Sequence, residues 1–281
     1  MRVLQVDNHM RDIVLDTYCG EGPLDTSADD WPGWRHIYVK IAEGSWGYLE
    51  HSGYKEVTIQ ILEEAKGFDT LGVYVYPRRN DYVHWLTQAQ TFVRQIKVLQ
   101  LAGFTIDYVV LDAERRNIVD ANGNYPSGYG SWLWEMYNYI VNETGLPVWL
   151  YSDPYTRRDA FYRYGYRWID EIPWICAQYP YSNQDSIEKV MEIWEKAVTG
   201  AIYPNTFPVD YKPVMWQVTD RYPAGDFFPQ SAGADVNVWM ADWRALLNKP
   251  IPEVPKDTYV KRGVDIVRRF FDPRRNYRRP A

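Results

Sequence analysis

Short apolar runs alternate with longer stretches of helical periodicity along most of this chain. A short run bounded by turn residues indicates a strand, whereas apolar residues that recur every three or four positions indicate an amphipathic helix. On this basis eight strands are predicted, at residues 3–7, 36–42, 70–76, 108–112, 147–152, 172–177, 214–218 and 234–238.

Helix ends are recognisable between several of these strands. The apolar stripe of residues 83–102 stops at Gly103 and that of residues 131–144 stops at Gly145, and glycine is a common residue just after the last turn of a helix. The pair Asp153-Pro154 is typical of an N-cap followed by a first-turn proline, so a short helix is predicted directly after the fifth strand.

Eight strands that alternate with helices predict an α/β fold, an irregular (β/α)8-type barrel with parallel strands. Fewer helices are expected in the C-terminal third, because no helical pattern separates the seventh strand from the eighth. Three prolines within residues 249–257 predict a linker. We therefore expect a barrel in residues 1–248, a linker at 249–257 and a basic tail at 258–281.

Composition and charge exclude several classes of protein. At 281 residues and 46% hydrophobic, the chain can bury a large core. The net charge is −6, but the tail carries eight basic against two acidic residues, which leaves about −12 on the barrel and argues against broad nucleic-acid binding. No run of 18 apolar residues occurs, so no membrane span is predicted, and no signal peptide is visible at the N-terminus.

The cysteines and histidines offer little chemistry. Cys19 and Cys176 are far apart in the chain and lack a CxxC spacing, so two separate buried thiols are favoured over a disulfide. The four histidines show no metal-ligand spacing. No metal site and no cofactor are predicted.

The candidate chemistry lies at the predicted strand ends. In a parallel barrel the C-terminal ends of the strands form the functional face. Four of the predicted strands bring carboxylates to this face: Asp7, Glu43, Asp112 with Glu114, and Asp235. Other polar residues at the strand ends are Tyr151, Gln178, Tyr179 and Gln217. Aromatic residues near the same ends are candidates for stacking on a sugar ring: Tyr76, Tyr151, Trp174 and Trp216.

The segment "YVVLDAERR" places two carboxylates on one side of a strand. Residues i and i+2 of a strand point to the same side, so Asp112 and Glu114 are expected to be neighbours that raise each other's pKa. Glycosidic cleavage requires one carboxyl group kept protonated and another kept ionised. We therefore expect Glu114 to be the acid, with its proton retained by Asp112 and nearby acids. An ion-pair cluster with Arg115 and Arg116 is the alternative.

A set of motifs is spread over roughly residues 1–247: "LQVDNH", "IYVKIAEGSWGYLE", "LGVYVYP", "YVVLDAE", "GLPVWLYSDPY", "MWQVTD" and "GADVNVW". In these residues and in their order, the chain resembles the glycoside hydrolase family 25 lysozymes, the muramidases that cut bacterial peptidoglycan. The resemblance implies a glycosidase-like barrel that acts on peptidoglycan glycan strands. It also implies that Glu114 is the general acid and that its partner carboxylates are Asp7, Asp112 and Asp235.

The chain departs from that family at two places. "YPRRND" puts Arg78 and Arg79 near the rim, where the family commonly has an aromatic residue or histidine. An insertion occupies residues 178–213. Both changes lie where the substrate is expected to bind.

Two other functions remain open. A family 18 chitinase-like barrel would use Asp107, Asp112 and Glu114, which match three of the four acids of its D-x-x-D-x-D-x-E pattern, with Val110 in the other place. A catalytically decayed barrel could instead be a structural or glycan-binding component of a larger assembly, with residues 258–281 docked on a partner protein. A lysin that is released by lysis, or carried on a phage-like particle, would reach the cell wall without a signal peptide.

Overall fold

The computed structural model describes the greater part of the chain, in segments that cover residues 13–29, 31–79, 83–119, 122–179, 187–199, 213–222, 225–228 and 234–248. The predicted linker at 249–257 and the predicted basic tail at 258–281 lie outside the described residues.

The strands within these segments form one closed sheet. They are β1 Ile13–Thr17, β2 His36–Glu43, β3 Trp46–Gly47, β4 Thr70–Tyr76, β5 Tyr108–Asp112, β6 Val148–Ser152, β7 Trp174–Ala177, β8 Met215–Tyr222 and β9 Ala234–Trp239. Their order is β1-β9-β8-β7-β6-β5-β4-β2-β3, and a further pairing of β1 with β2 closes the ring. Eight strands thus make a barrel, as predicted, and the short β3 is a hairpin partner of β2 outside the ring.

Most helices cover the outside of the barrel, and the last one packs against the cluster inside it. The helices are α1 Ser52–Glu64, α2 Trp85–Leu101, α3 Arg115–Ile118, α4 Tyr129–Thr144, α5 Pro154–Thr156, α6 Ile187–Val198 and α7 Trp243–Leu247. Two predicted helix ends are confirmed. Gly145 caps α4 in the left-handed conformation, with φ of +67°, and the Asp153 carboxylate accepts the backbone N–H of Tyr155 at 2.8 Å at the start of α5.

The last barrel strand does not follow the parallel prediction. β9 is antiparallel to both of its neighbours, β8 and β1. The connection from Tyr222 to Ala234 is close to the lower limit of roughly a dozen residues for a parallel crossover, which favours a chain that turns back. As a consequence Asp235, near the start of β9, lies beside the C-terminal ends of the parallel strands.

The first barrel strand is also not the one predicted. β1 is Ile13–Thr17, and it pairs with β2 on one side and with β9 on the other. The prediction that residues 3–7 take this place is therefore wrong, and Asp7 itself lies outside the described residues. Both segments are short apolar runs that lead into an aspartate, so the local pattern could not decide which one completes the ring.

Alternation along the strands separates two cores. Inward residues form an aromatic-rich floor inside the barrel that includes Tyr38, Tyr108, Trp149 and Trp239, with Tyr108 and Trp149 stacked at 4.1 Å between ring centroids. Outward residues pack under the helices as the larger core. The barrel is therefore filled below its mouth, and side chains at the C-terminal strand ends stand on that floor.

Cys19 and Cys176 are both buried free thiols, as the spacing predicted. No helix within the described segments is long and apolar enough to cross a membrane.

Candidate active site

Inward positions at the open end of the barrel carry a group of acids, which we call the acidic mouth: Asp16, Glu21, Asp112, Glu114 and Asp235. Asp16 and Asp235 are directly opposite each other in the register of β1 and β9. Asp112 is the last residue of β5 and is buried. Acids from the first, fifth and last strands therefore meet at one end.

Asp112 and Glu114 share one side of the chain, as expected from their spacing. Ala113 between them is fully buried in the outer core, and the backbone at Glu114 remains extended, with φ of −93° and ψ of 153°. Tyr151 is near both acids. Burial raises its pKa most, and the charges of Glu114 and Asp112 are among those that raise it further. The first turn of α3 begins immediately after Glu114.

Asp16 shows most clearly that the acids are close together. Burial raises the pKa of Asp16 well above its ordinary value, and the charges of Asp235, Glu21 and Asp112 raise it further. Such a carboxyl group holds its proton to higher pH than a solvated aspartate does. Sequence reasoning missed Asp16, although "IVLDT" has the same form as the strand that was predicted a few residues earlier.

Glu21 is a second acid that sequence reasoning missed. It is buried in the turn Cys19–Glu21 that follows β1. Its Oε2 accepts hydrogen bonds from the Thr17 hydroxyl and, at 3.4 Å, from the backbone N–H of Tyr18. Burial, with a smaller contribution from Asp235, raises the pKa of Glu21 to about 8. At neutral pH it is therefore largely a neutral carboxylic acid within the acidic mouth.

Three of the predicted binding residues are linked by hydrogen bonds. The Tyr151 hydroxyl donates to Oε1 of Gln217 at 2.5 Å, and the Tyr179 hydroxyl donates to the same oxygen at 3.3 Å. Burial raises the pKa of Tyr179, and the charge of Asp235 raises it further, so Tyr179 lies near the acids. Because Tyr179 is 45% exposed, it forms a partly open wall of the mouth.

Glu43 lies in an ion-pair network at the rim. It accepts from Lys40 at 2.7 Å and from the Tyr48 hydroxyl at 3.3 Å, and it pairs with Arg78. Although burial alone would raise its pKa, the hydrogen bonds and charges of Lys40 and Arg78 lower it, so Glu43 is held ionised. The predicted Tyr76 is buried beneath the network, with its ring centroid 4.5 Å from the Lys40 ammonium.

This network borders a cavity of about 300 Å³, large enough to admit part of a sugar. Its lining residues come from the ends of β2 and β4 and from the chain that runs from the β2–β3 turn through β3 into α1: Glu43, Ser45, Trp46, Tyr48, Tyr54 and Arg78. The exposed rings of Trp46 and Tyr54 make an aromatic edge at 5.9 Å between centroids. Glu43 thus lines a cavity at the rim and is not part of the acidic mouth.

The two predicted tryptophan platforms are wrong. Trp216 is 1% exposed and packs in the outer core, on the opposite side of β8 from Gln217, and its indole N–H donates to the Gln178 carbonyl. Trp174 is fully buried with the Arg157 guanidinium 4.5 Å from its ring centroid. Since alternate residues of a strand face opposite sides, Gln217 can reach the mouth only if Trp216 does not. Gln178, a predicted binding residue, contributes its backbone carbonyl to this hydrogen bond.

Asp107, which the chitinase-like pattern requires, serves the fold instead. Its carboxylate accepts a hydrogen bond from the backbone N–H of Leu71 at 2.7 Å. Asp107 directly precedes β5, so it lies at the end of the barrel away from the mouth. Within the described segments, no group of three or more His, Cys, Asp or Glu side chains is placed to hold a metal ion.

Comparison with known proteins gives matches at the level of structure. No protein-family model and no curated protein matches the sequence. The catalytic domain of the endolysin ply40 from bacteriophage P40 of Listeria monocytogenes is similar over 85% of this chain and 98% of that domain, with a TM-score of 0.58 and 16% identity. A family 25 glycosyl hydrolase from Bacillus anthracis matches over 85% of this chain and 93% of its own, with a TM-score of 0.55 and 15% identity.

The fold is that of the family 25 lysozymes. A bacterial lysozyme from Streptomyces coelicolor has the same arrangement, with a TM-score of 0.54 and 15% identity over 84% of this chain and 96% of its own. The fold that the motif resemblance implied is therefore confirmed over most of the chain.

Proposed function

We propose that this protein is a peptidoglycan-cleaving glycoside hydrolase, a muramidase that hydrolyses the β-1,4 bond between N-acetylmuramic acid and N-acetylglucosamine. The observation that carries the proposal is the acidic mouth, where carboxylates from β1, β5 and β9 meet on a buried aromatic floor. Like charges in a partly dry site cost stability, and glycosidic cleavage is a reaction that needs them. The family 25 fold supports the same reaction.

In this proposal Glu114 is the general acid that protonates the leaving glycosidic oxygen. Asp235 and Asp112 stay near the anomeric carbon, where an ionised carboxylate stabilises positive charge or orients the 2-acetamido group of the substrate. Asp16 takes the part that the sequence assigned to Asp7, because it occupies the barrel strand beside β9. Tyr151, Tyr179 and Gln217 hold the sugar against these acids through hydroxyl and amide groups.

Turnover of purified peptidoglycan by wild type and by Glu114→Gln tests the proposal. General acid catalysis contributes about 10² to 10⁴ in rate, so the variant should lose most of its kcat. Glu143→Gln is the matched control, because Glu143 is an exposed residue of α4 paired with Lys97. Wild type as inert as Glu114→Gln would contradict the hydrolase and favour a structural or glycan-binding barrel, whereas release of chitin oligomers would favour a chitinase.

We further propose that the protein acts on the cell wall as a lysin, released by lysis or carried on a phage-like particle. The similarity to the catalytic domain of a bacteriophage endolysin supports this setting. Docking of residues 258–281 on a partner protein stays a prediction, which is contradicted if a chain ending at Asn248 assembles and binds as the full chain does.

A further inference from the structure

A second cavity, of about 660 Å³, opens beside the ends of β5 and β6. Arg115, which follows Glu114 directly, lines one side, and Asp153, which follows β6, lines another. The remaining wall comes largely from the helical turns after β6, including Arg158, Asp159 and Arg163. Since β5 and β6 are paired and parallel, this cavity lies at the same end of the barrel as the acidic mouth.

The two aspartates of this cavity are already engaged. Asp153 caps α5 by accepting the backbone N–H groups of Tyr155 and Thr156 at 2.8 and 2.9 Å. The two carboxylate oxygens of Asp159 accept hydrogen bonds from Nε and Nη2 of Arg158, each at 2.7 Å. Arg158 lowers the pKa of Asp159 most, with smaller contributions from Arg163 and Arg115.

The hydrogen bonds of these two aspartates involve neither Arg115 nor Arg163. Arg115 and Arg163 act on Asp159 through their charge, but neither makes an ion pair with any residue that the structure describes. A guanidinium presents donors in a planar fork that matches a carboxylate. The cavity therefore offers donors for an anion within one residue of the proposed general acid.

Tyrosines give the cavity a fixed frame. The Tyr164 hydroxyl donates to the Tyr125 carbonyl at 2.9 Å, and the Tyr125 hydroxyl is 3.2 Å from that of Thr156. Tyr155 is 60% exposed, and the Arg158 guanidinium carbon is 5.4 Å from its ring centroid. These rings supply apolar surface beside the cations, as a peptide chain with acidic groups requires.

We propose that this arginine pocket binds a carboxylate of the peptide that peptidoglycan carries on its muramic acid residues. The inference rests on the proposed function, and it specifies that the preferred substrate is a glycan with its peptides attached. A single carboxylate suits the pocket better than a chain of phosphates, because Asp153 and Asp159 leave an excess of only one positive charge among its side chains. A peptide beside the cleaved bond can reach the pocket, since Arg115 adjoins Glu114.

Binding measured in the Glu114→Gln background tests the pocket without turnover. Soluble glycan strands with peptides are compared with the same strands after an amidase has removed the peptides and the lactyl carboxylates that it exposes have been converted to amides. We expect the peptide-bearing strands to bind about tenfold more tightly, the value of one charge-assisted hydrogen-bonded contact. Arg163→Gln and Arg115→Gln should each remove most of this preference. Arg35→Gln, which deletes the same charge at the far end of the barrel before β2, should keep it.

Three results would overturn the inference. The Glu114→Gln protein could bind the glycan strands with and without peptides equally well, and this result requires no arginine variant. Both arginine variants could keep the full preference. The preference could also depend on teichoic acid phosphate, and so disappear when phosphate polymer alone is removed and the peptides remain. Absence of turnover on both substrates would contradict the hydrolase, while the binding comparison would still decide the pocket.

Discussion

Asp16 of β1 lies directly opposite Asp235 of β9 in the antiparallel pairing that closes the barrel. Residues in this relationship have Cβ atoms about 5 Å apart, and like charges there are destabilising. The closing seam of the barrel therefore carries an electrostatic cost at the position where substrate is proposed to bind. Such a cost is typical of sites where function has been favoured over stability.

Replacing one member of this pair should stabilise the fold. At a pH above the raised pKa of Asp16, where both carboxyl groups are ionised, Asp235→Asn removes a neighbouring charge from Asp16 and should raise the free energy of unfolding by about 1 kcal/mol. The same change should lower turnover, because a charge near the anomeric carbon is lost. Urea unfolding and peptidoglycan turnover measure the two effects, with the exposed Asp29→Asn as control. A less stable Asp235→Asn variant would show that the carboxylate serves the fold.

Glu21 should make stability fall as pH rises through the neutral range. Its pKa is about 8 in the fold against 4.5 in the unfolded chain, so between these values the native state binds the extra proton. The stabilising contribution of Glu21 to the free energy of unfolding is therefore fully present below about pH 4.5. It decreases by roughly a few kcal/mol as the pH rises to about 8.

The difference in unfolding free energy between wild type and Glu21→Gln isolates this effect from that of other acids. We expect wild type to lose stability relative to the variant as pH is raised from 5 to 8. Urea unfolding at four or five pH values measures it. A difference that is independent of pH would mean that Glu21 is ionised throughout.

Arg157 should not tolerate lysine. Its guanidinium is 1% exposed, donates to the Ile169 carbonyl at 3.0 Å and to Asp170 at 3.1 Å, and lies on the ring of Trp174. Lysine cannot supply these contacts together, so Arg157→Lys should cost about 2 to 4 kcal/mol in unfolding free energy.

The adjacent arginine provides the comparison. Arg158 is 39% exposed and pairs with Asp159 at the surface, so Arg158→Lys should cost less than about 1 kcal/mol. Thermal or urea unfolding distinguishes the two. Equal effects at both positions would contradict the buried role of Arg157.

Gly72 should be required by the aromatic floor. A Cβ at this position would meet the ring of Tyr108, which is held in place by its stacking on Trp149. Gly72→Ala should therefore destabilise the protein by about 1 to 3 kcal/mol. Gly53→Ala is the opposite case, because Gly53 lies in α1 with open space around it, and alanine there should stabilise by up to about 1 kcal/mol. Unfolding curves of the two variants should shift in opposite directions.

Features that depend on neighbouring residues could be predicted from the sequence. The shared side of Asp112 and Glu114 follows from the two-residue period of an extended chain, and the ends at Gly145 and Asp153 follow from local backbone and hydrogen-bond chemistry. The eight-stranded barrel followed from the alternation of strands and helices. Each of these requires information from only a few consecutive residues or from their order.

Features that depend on distant residues were decided by the tertiary structure. Ile13–Thr17, rather than an equally apolar segment before it, pairs with both β2 and β9, and this brings Asp16 to Asp235. The reversed direction of β9 places Asp235 at the mouth, and the side of β8 that faces inward selects Gln217 and buries Trp216. Hydrophobic pattern specifies that a segment is buried, but which strands pair is decided by closing the whole ring.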